Sequence, residues 1–409
     1  MAHDIAMNIT SKIVALSSVV AFALQIALAL LMLRYFSPEE VGCFSVIGQI
    51  SFFWATLALA QSPLRLLANH SASVFSDARH AWVSSLQRFI WLVPISALAV
   101  WWSGLPFFNT LLWSLLISLF QMAWMLAQSM RLRMVGVWSQ VGVRVLPSLM
   151  ALIVAFVLLF IKWHGPALLF SAFLGYFSGA VWLFHALSSY RKVSHDPSTL
   201  CISSTSADDR SVALRLAHTL VDVLLATGIV LIWQRLYGVR ETGWMTAPLR
   251  VMGFVPAVVH MAWVQVLLAQ PQKARTNPLY IGFLGFITVA FLGASCQFAL
   301  DMKWLSSDWE GTWPYLMPLT LWQGCACISA SFSHRAFQFS AASKYSWFCM
   351  LISAIQGCVL LAPFISASTS FSATTHIWLL FAVSGLGLLL NAYWLSKLSQ
   401  SPIMIRIER

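Results

Sequence analysis

The chain has 409 residues, of which 59% are hydrophobic and only 9% are charged, and its mean hydropathy is +0.79. This composition leaves too little polar surface to cover a globule of that length, so it excludes an ordinary water-soluble domain. The net charge of +11 would also fit a nucleic-acid-binding protein, but the positions of the charges give it another explanation.

Apolar stretches of transmembrane length follow one another along the whole chain. A bilayer core of roughly 30 Å takes about 20 helical residues. Lipid also requires every backbone polar group to be bonded within the protein, and the run 151–160 is apolar throughout, unlike the alternating strands of a barrel. We therefore expect an all-α integral membrane protein with about 12 transmembrane helices, at 13–33, 41–64, 86–102, 108–130, 138–161, 166–187, 213–234, 243–269, 279–299, 314–332, 345–366 and 375–396.

The Lys and Arg residues are distributed unequally between alternate loops. With the N-terminus inside, seventeen of the 24 fall on the cytoplasmic side and five on the outer side, while Arg144 and Arg250 fall within helices. Positive charge accumulates on the cytoplasmic side of membrane proteins. The asymmetry therefore predicts that both termini are cytoplasmic, and it accounts for the net charge with membrane lipids and no nucleic acid as partners.

One polar segment divides the chain in the middle. Six apolar stretches precede the Ser- and Asp-rich loop near 188–212, and six follow it. We expect an N-terminal six-helix bundle at 1–190, a cytoplasmic linker at 191–212 and a C-terminal six-helix bundle at 213–409.

Internal repetition favours the same division. A shift of 201 residues aligns polar residues after the first and the seventh helix, and not only leucines. The aligned pairs are Arg34 with Arg235, Glu40 with Glu241 and Gly42 with Gly243. Because six is an even number, both halves have the same orientation, as in a parallel repeat with a pseudo-twofold axis along the membrane normal.

The turn at 35–44, with the sequence YFSPEEVGCF, resembles the first-to-second helix junction of the Wzx-type flippases for polysaccharides and oligosaccharide-lipids. These belong to the multidrug, oligosaccharidyl-lipid and polysaccharide exporter superfamily. Asp222, Gly243 and Arg250 match a pattern of the family's second half, whereas Met245 and Pro248 replace its usual Tyr and Ala. The resemblance implies twelve helices in two bundles and transport by alternating access.

Asp222 and His218 are the candidate ion-coupling or gating residues. An ionisable residue at mid-bilayer costs at least ~2.5 kcal/mol unless it faces protein or water. Asp222 lies too deep in the seventh helix for its short side chain to reach an interface, and it is expected to be a buried carboxylate with His218 one turn away. Two interpretations stay open: a site coupling transport to H⁺ or Na⁺, or a structural partner of an Arg.

Arginines within or at the ends of helices are the candidate substrate-binding residues. Arg250 could hold a diphosphate by paired hydrogen bonds, and its repeat partner Gln49 puts a neutral polar group at the same depth. Arg144 and Arg65 could contribute to the cavity or extend to the cytoplasmic interface. Together these arginines outnumber the one core acid, which favours an anionic substrate.

The sequence therefore favours a transporter and not an enzyme. We expect a flippase of the bacterial inner membrane for a polyprenyl-diphosphate-linked oligosaccharide of O-antigen, capsule or exopolysaccharide, with other glycan-assembly membrane proteins as further partners. No catalytic residue, metal site or cofactor is predicted, and no phosphate-binding Gly-rich loop is present. A drug antiporter of the same fold is the leading alternative, and a membrane-bound glycan polymerase or acyltransferase is a third.

Overall fold

The protein is described here by a computed structural model. It describes residues 2–60, 62–68, 73–134, 137–163, 165–193, 209–260, 277–339, 341–365 and 371–398. Within its helices, the side chains of residues 2–15, 64, 65, 68, 137, 189–193, 209–212 and 215 are not described.

Regular secondary structure in these residues is entirely helical. A short 3₁₀ helix occupies Ser307–Thr312. The fourteen α-helices are α1 Ala2–Tyr35, α2 Pro38–Leu59, α3 Ser62–Ala68, α4 Val74–Trp91, α5 Val93–Ser103, α6 Phe107–Arg133, α7 Val137–Phe160, α8 Ala167–Val193, α9 Asp209–Val258, α10 Pro278–Asp301, α11 Trp313–Phe332, α12 His334–Gln338, α13 Ala342–Ile365 and α14 Ala373–Lys397.

The predicted fold class is confirmed. Nine of the described helices are long and apolar enough to cross a membrane, and the bent pair α4 and α5 brings the number to ten. The apolar part of α9, Leu216–Val258, has 43 residues, about twice the length of one crossing. It consists of two helical stretches that meet at Gly238, whose backbone is not helical (φ 90°, ψ 175°).

Three predicted spans differ from the observed helices. The span 41–64 is broken after Leu59, where Ala60 has a positive φ of 47°. Pro63 follows, and a proline has no N–H to donate to the carbonyl four residues earlier. The span 86–102 corresponds to two helices, α4 and α5, which together are longer than predicted and meet at an angle of 49°. The bend lies just before Pro94, which likewise has no N–H to donate. The span 243–269 ends its described helix at Val258, and residues 261–269 lie outside the described residues.

The chain divides into two compact units, an N-terminal unit Met1–Ala207 and a C-terminal unit Asp208–Arg409. Their boundary falls in the predicted linker, most of which lies outside the described residues. In the N-terminal unit α1 packs on α7, α7 on α8, α8 on α6 and α6 on α2. In the C-terminal unit α9 packs on α13, α13 on α14, α14 on α11 and α11 again on α9, which contains two helical stretches. The same sequence of neighbours thus occurs in both halves, as a duplicated bundle requires, while the axis relating them stays a prediction.

Local signals fix where the helices begin. Ser37 and Glu40 form a capping box at the start of α2, in which the Ser37 hydroxyl accepts from the Glu40 N–H at 3.2 Å and the Glu40 carboxylate accepts from the Ser37 N–H at 2.8 Å. Pro38 occupies the first helical position, where its missing N–H costs nothing. This turn, on which the family resemblance rests, is therefore a helix start defined by its own side chains.

Candidate functional site

The structure brings His218 and Asp222 into direct contact. Both lie on α9, and Nε2 of His218 is 3.1 Å from Oδ2 of Asp222. Ser353 of α13 donates its hydroxyl to Oδ1 of Asp222 at 3.3 Å. The Tyr345 ring, also on α13, meets the His218 ring edge-on with centroids 6.0 Å apart. The pair is thus held between α9 and α13 within the C-terminal unit.

The expectation that Asp222 is a buried carboxylate is wrong. Its side chain is 53% exposed, whereas that of His218 is 19% exposed. A position in the middle of a helix fixes the depth of a residue but not the face it occupies, and Asp222 occupies a face that the neighbouring helices leave open. The partners observed for Asp222 are His218 and Ser353, so its carboxylate remains accessible to a mobile ion.

The candidate arginines are placed separately. Arg144, on α7, donates from Nη1 to the Ser18 hydroxyl of α1 at 2.7 Å. Arg250 is half-buried on the stretch of α9 after Gly238. Gln49 is half-buried on α2, and Arg65 lies on α3 with its side chain outside the described residues. Gln49, Arg65 and Arg144 therefore belong to the N-terminal unit, and Arg250 belongs to the C-terminal unit with Asp222 and His218.

A second polar constellation was not predicted from the sequence. It is formed where α9 passes through Gly238, and we call it the aromatic cluster: Trp233, Tyr237, Tyr315 and His376. The Trp233 ring stacks on His376 with centroids 4.9 Å apart and lies 4.8 Å from that of Tyr237. The Tyr237 hydroxyl is 3.0 Å from Nδ1 of His376.

Glu241 joins the aromatic cluster at its edge. The Tyr315 hydroxyl donates to Oε2 of Glu241, and the rings of Tyr315 and Trp233 meet edge-on at 6.0 Å. In the sequence repeat Glu241 is aligned with Glu40, which closes a capping box instead. His376, Ser384 and Asn391 follow one another at intervals of eight and seven residues, which places them on one face of α14, and all three are buried. This spacing is the sequence signal that could have pointed to the interior.

No group of three or more His, Cys, Asp or Glu side chains in the described part of the chain is arranged to hold a metal ion. Asp222 pairs with His218, Glu241 with the Tyr315 hydroxyl and Arg144 with the Ser18 hydroxyl, whereas Asp77 of α4 forms an ion pair with Arg133 of α6 at 2.8 Å. The carboxylate pairs can bind protons or cations, and the guanidinium of Arg144 can donate to an anionic ligand.

Comparison with known proteins shows the fold. No family model and no curated protein sequence matches the chain. A solved structure described as the inward-facing conformation of a multidrug resistance MATE family transporter of the MOP superfamily aligns with a TM-score of 0.56 and 12% identity, over 93% of this chain and 94% of that one. A second, the MATE transporter ClbM in complex with Rb⁺, aligns with a TM-score of 0.43 and 13% identity over 98% and 95%.

The chain therefore shares its fold, over almost its whole length, with the solved structure that is described as a MATE family transporter. Together with its long apolar helices, this fold makes it a multi-pass membrane protein. At such low identity the likeness extends to the architecture and not to the substrate.

Proposed function

We propose that this protein is a transporter that moves a polyprenyl-diphosphate-linked oligosaccharide from the inner to the outer leaflet of the bacterial cytoplasmic membrane by alternating access. The fold supports a transporter. The candidate residues support an anionic substrate, because they include two helix-borne arginines, Arg144 and Arg250, and one carboxylate, Asp222, which contacts His218.

The chemistry of the candidate arginines and of Asp222 fits this substrate. A guanidinium presents a planar fork of donors that matches the oxygens of a diphosphate. The half-exposed Asp222 can exchange an ion with water, so protons or Na⁺ could provide the drive without a nucleotide. The polyprenyl chain would remain in lipid beside the bundle.

A drug antiporter is the second candidate, because the solved structure with the same fold is described as a multidrug resistance transporter. The two candidates differ in the charge of the cargo. A cationic drug requires acidic or aromatic groups, such as Glu241 and the aromatic cluster, whereas an anionic substrate requires cations such as Arg144 and Arg250.

Reconstituted vesicles separate the two functions. Purified protein is placed in liposomes containing a polyprenyl diphosphate whose oligosaccharide bears a fluorophore, and a membrane-impermeant reductant destroys the label in the outer leaflet. A flippase makes the protected inner label accessible, at a rate that responds to a pH or Na⁺ gradient. Gradient-driven movement of a cationic dye in the same vesicles, with the lipid label still protected, would instead establish the antiporter.

Arg250 variants test the proposed contact with the diphosphate. Arg250→Lys keeps the charge but loses the planar fork, so flipping should fall about tenfold, the effect of losing about 1.4 kcal/mol. Arg250→Ala should abolish most of the remainder. Arg144→Lys is the matched control, because a single bond to Ser18 is within reach of an ammonium group; full flipping by Arg250→Ala would remove Arg250 from the site.

A further inference from the structure

The last turn of α6 carries two arginines, Arg131 and Arg133, that point toward different helices. Two residues turn a helix by about 200°, so the two side chains leave it on opposite faces. Arg133 donates from Nη1 to the Leu66 carbonyl at 2.9 Å and to the Asp77 carboxylate at 2.8 Å. The charge of Arg133 is therefore balanced within the N-terminal unit.

Arg131 faces α8 and has no such partner. Its guanidinium carbon lies over the Trp182 ring, 5.0 Å from the centroid. The side chain is half-buried, and its Nε is enclosed without a hydrogen-bond acceptor among the residues that the structure describes. No described carboxylate forms an ion pair with it either. An aromatic face attracts a cation but supplies no counter-charge.

The Trp182 ring is held in place by its own packing. It belongs to α8 and packs on the buried core of the N-terminal unit, which includes Met130 of α6. On the α7 side, a Cβ added at Gly142 would lie 3.0 Å from Cζ2 of Trp182, so the ring is in close contact with the helix backbone. The ring is thus fixed between three helices, and it positions the guanidinium of Arg131.

Two other arginines stack on aromatic rings, and both have acceptors. Arg240 lies over the Trp244 ring at 5.3 Å and pairs with the Asp308 carboxylate at 3.4 Å. Arg335, whose guanidinium also stacks on an aromatic ring, donates to the Ser396 carbonyl at 2.8 Å, in the last turn of α14, where carbonyls have no helical donor. Among these stacked arginines, Arg131 alone has neither kind of acceptor in the described part of the chain.

The position of Arg131 along α6 indicates which anion can reach it. It lies two residues before the end of an apolar helix of membrane-spanning length, about 3 Å from that end. The end of such a helix lies where the hydrocarbon core meets the lipid headgroups. The adjacent Leu132 is 39% exposed, and this apolar surface favours contact with lipid over water. An uncompensated charge at this boundary is stabilised by an anionic headgroup.

We propose that Arg131 and Trp182 form a binding site for the phosphate group of a lipid, in the leaflet that is predicted to be cytoplasmic. The guanidinium presents a planar fork of donors that matches two phosphate oxygens. Two kinds of lipid share this chemistry, an anionic phospholipid and a polyprenyl diphosphate. The site does not depend on the proposed cargo, because a resident phospholipid suffices to occupy it.

Native mass spectrometry of the purified protein in detergent measures the binding of added phosphatidylglycerol. Arg131→Gln removes the charge and keeps a side chain of similar length, so it should weaken the tightest phosphatidylglycerol site about tenfold. Trp182→Phe keeps an aromatic ring with a weaker attraction for cations and should weaken the site about threefold. Arg240→Gln is the matched control, because it removes an arginine that stacks on a tryptophan but has a carboxylate partner. It should leave the affinity unchanged.

Competition identifies the lipid. Displacement of phosphatidylglycerol by a polyprenyl diphosphate, in wild type but not in Arg131→Gln, assigns the site to the lipid-linked substrate, and lack of displacement assigns it to phospholipid. Inorganic phosphate at the same concentration should not compete, since it has no acyl chain; competition by phosphate overturns a lipid site. Equal affinity of wild type and Arg131→Gln also overturns the proposal. Should Arg131→Gln not fold, Arg131→Lys, which loses the planar fork, must bind phosphatidylglycerol more weakly than wild type, and equal affinity is then the contradicting result.

Discussion

At the scale of single residues, Asp222 differs from a structural ion pair in two respects. Its observed partners are a histidine and a serine rather than an arginine, and half of its side chain is exposed. A structural carboxylate inside a protein is normally enclosed and paired with a cation, because the pairing has to offset the free-energy cost of burying the charge. Accessibility and a titratable neighbour are what an ion-exchange site needs.

Asp222→Asn should abolish gradient-driven transport and leave membrane abundance unchanged. The amide is nearly isosteric and can still accept from Ser353, but the group no longer changes charge. Transport in vesicles and protein abundance in membranes are measured together. Ser353→Ala, which keeps the carboxylate, is the control and should retain most of the transport. A variant that is depleted from the membrane would show instead that Asp222 is structural.

At the scale of helices, side chains of neighbouring helices compensate for the backbone donors that prolines remove. Pro63, Pro147 and Pro363 each free a carbonyl, and each of those carbonyls has a donor from another helix. The Leu59 carbonyl receives Nη2 of Arg88 at 3.3 Å, Val143 receives Trp124, and Val359 receives His376. Since a free carbonyl in a dry interior is costly, these donors stabilise the helices at the prolines.

Trp124→Phe should lower the free energy of unfolding by about 1 kcal/mol, because the Val143 carbonyl loses its donor while the aromatic packing is largely kept. Gly179→Ala should destabilise by about 1–3 kcal/mol, since a Cβ there would lie 2.2 Å from Cδ1 of Trp124 and 2.8 Å from Cγ of Pro147. Thermal unfolding of the purified protein in detergent measures both. Trp138→Phe, at an 80% exposed position, and Gly357→Ala, with open space around it, are the matched controls. Equal stability of all four variants would contradict this account of the packing around Pro147.

At the scale of the whole molecule, the lengths of the apolar helices and the distribution of Lys and Arg between the loops together predict the path of the chain through the membrane. Long apolar helices are found in both units. The cytoplasmic side is expected to hold seventeen of the 24 basic residues, an asymmetry large enough to set orientation. We then expect the two halves to have equal orientation, because six crossings are predicted in each.

Reporter fusions test this path. An enzyme that is active only outside the cytoplasm should work when fused after residues near 42, 165, 243 and 309, and should be silent near 76, 203 and 272, because alternate loops lie on opposite sides. A reporter that is active only in the cytoplasm should give the reverse pattern and serves as the control. Periplasmic activity near 203 would be incompatible with six crossings in each half.

The sequence by itself determined the membrane class, the helical fold and the approximate spans, because the bilayer imposes a fixed length of apolar helix and a charge rule that act on local sequence. It also indicated Asp222 and His218 as neighbours, since a separation of four residues on one helix is itself a contact. Only the tertiary structure decided which side chains compensate for the prolines, which face Asp222 occupies and how His376 is bonded. Those features depend on helix packing: Trp124 and Val143 are 19 residues apart, Asp222 and Ser353 are 131 apart, and Tyr237 and His376 are 139 apart. A local pattern specifies that a helix has a polar face, but the partner of that face is fixed only when the helices pack together.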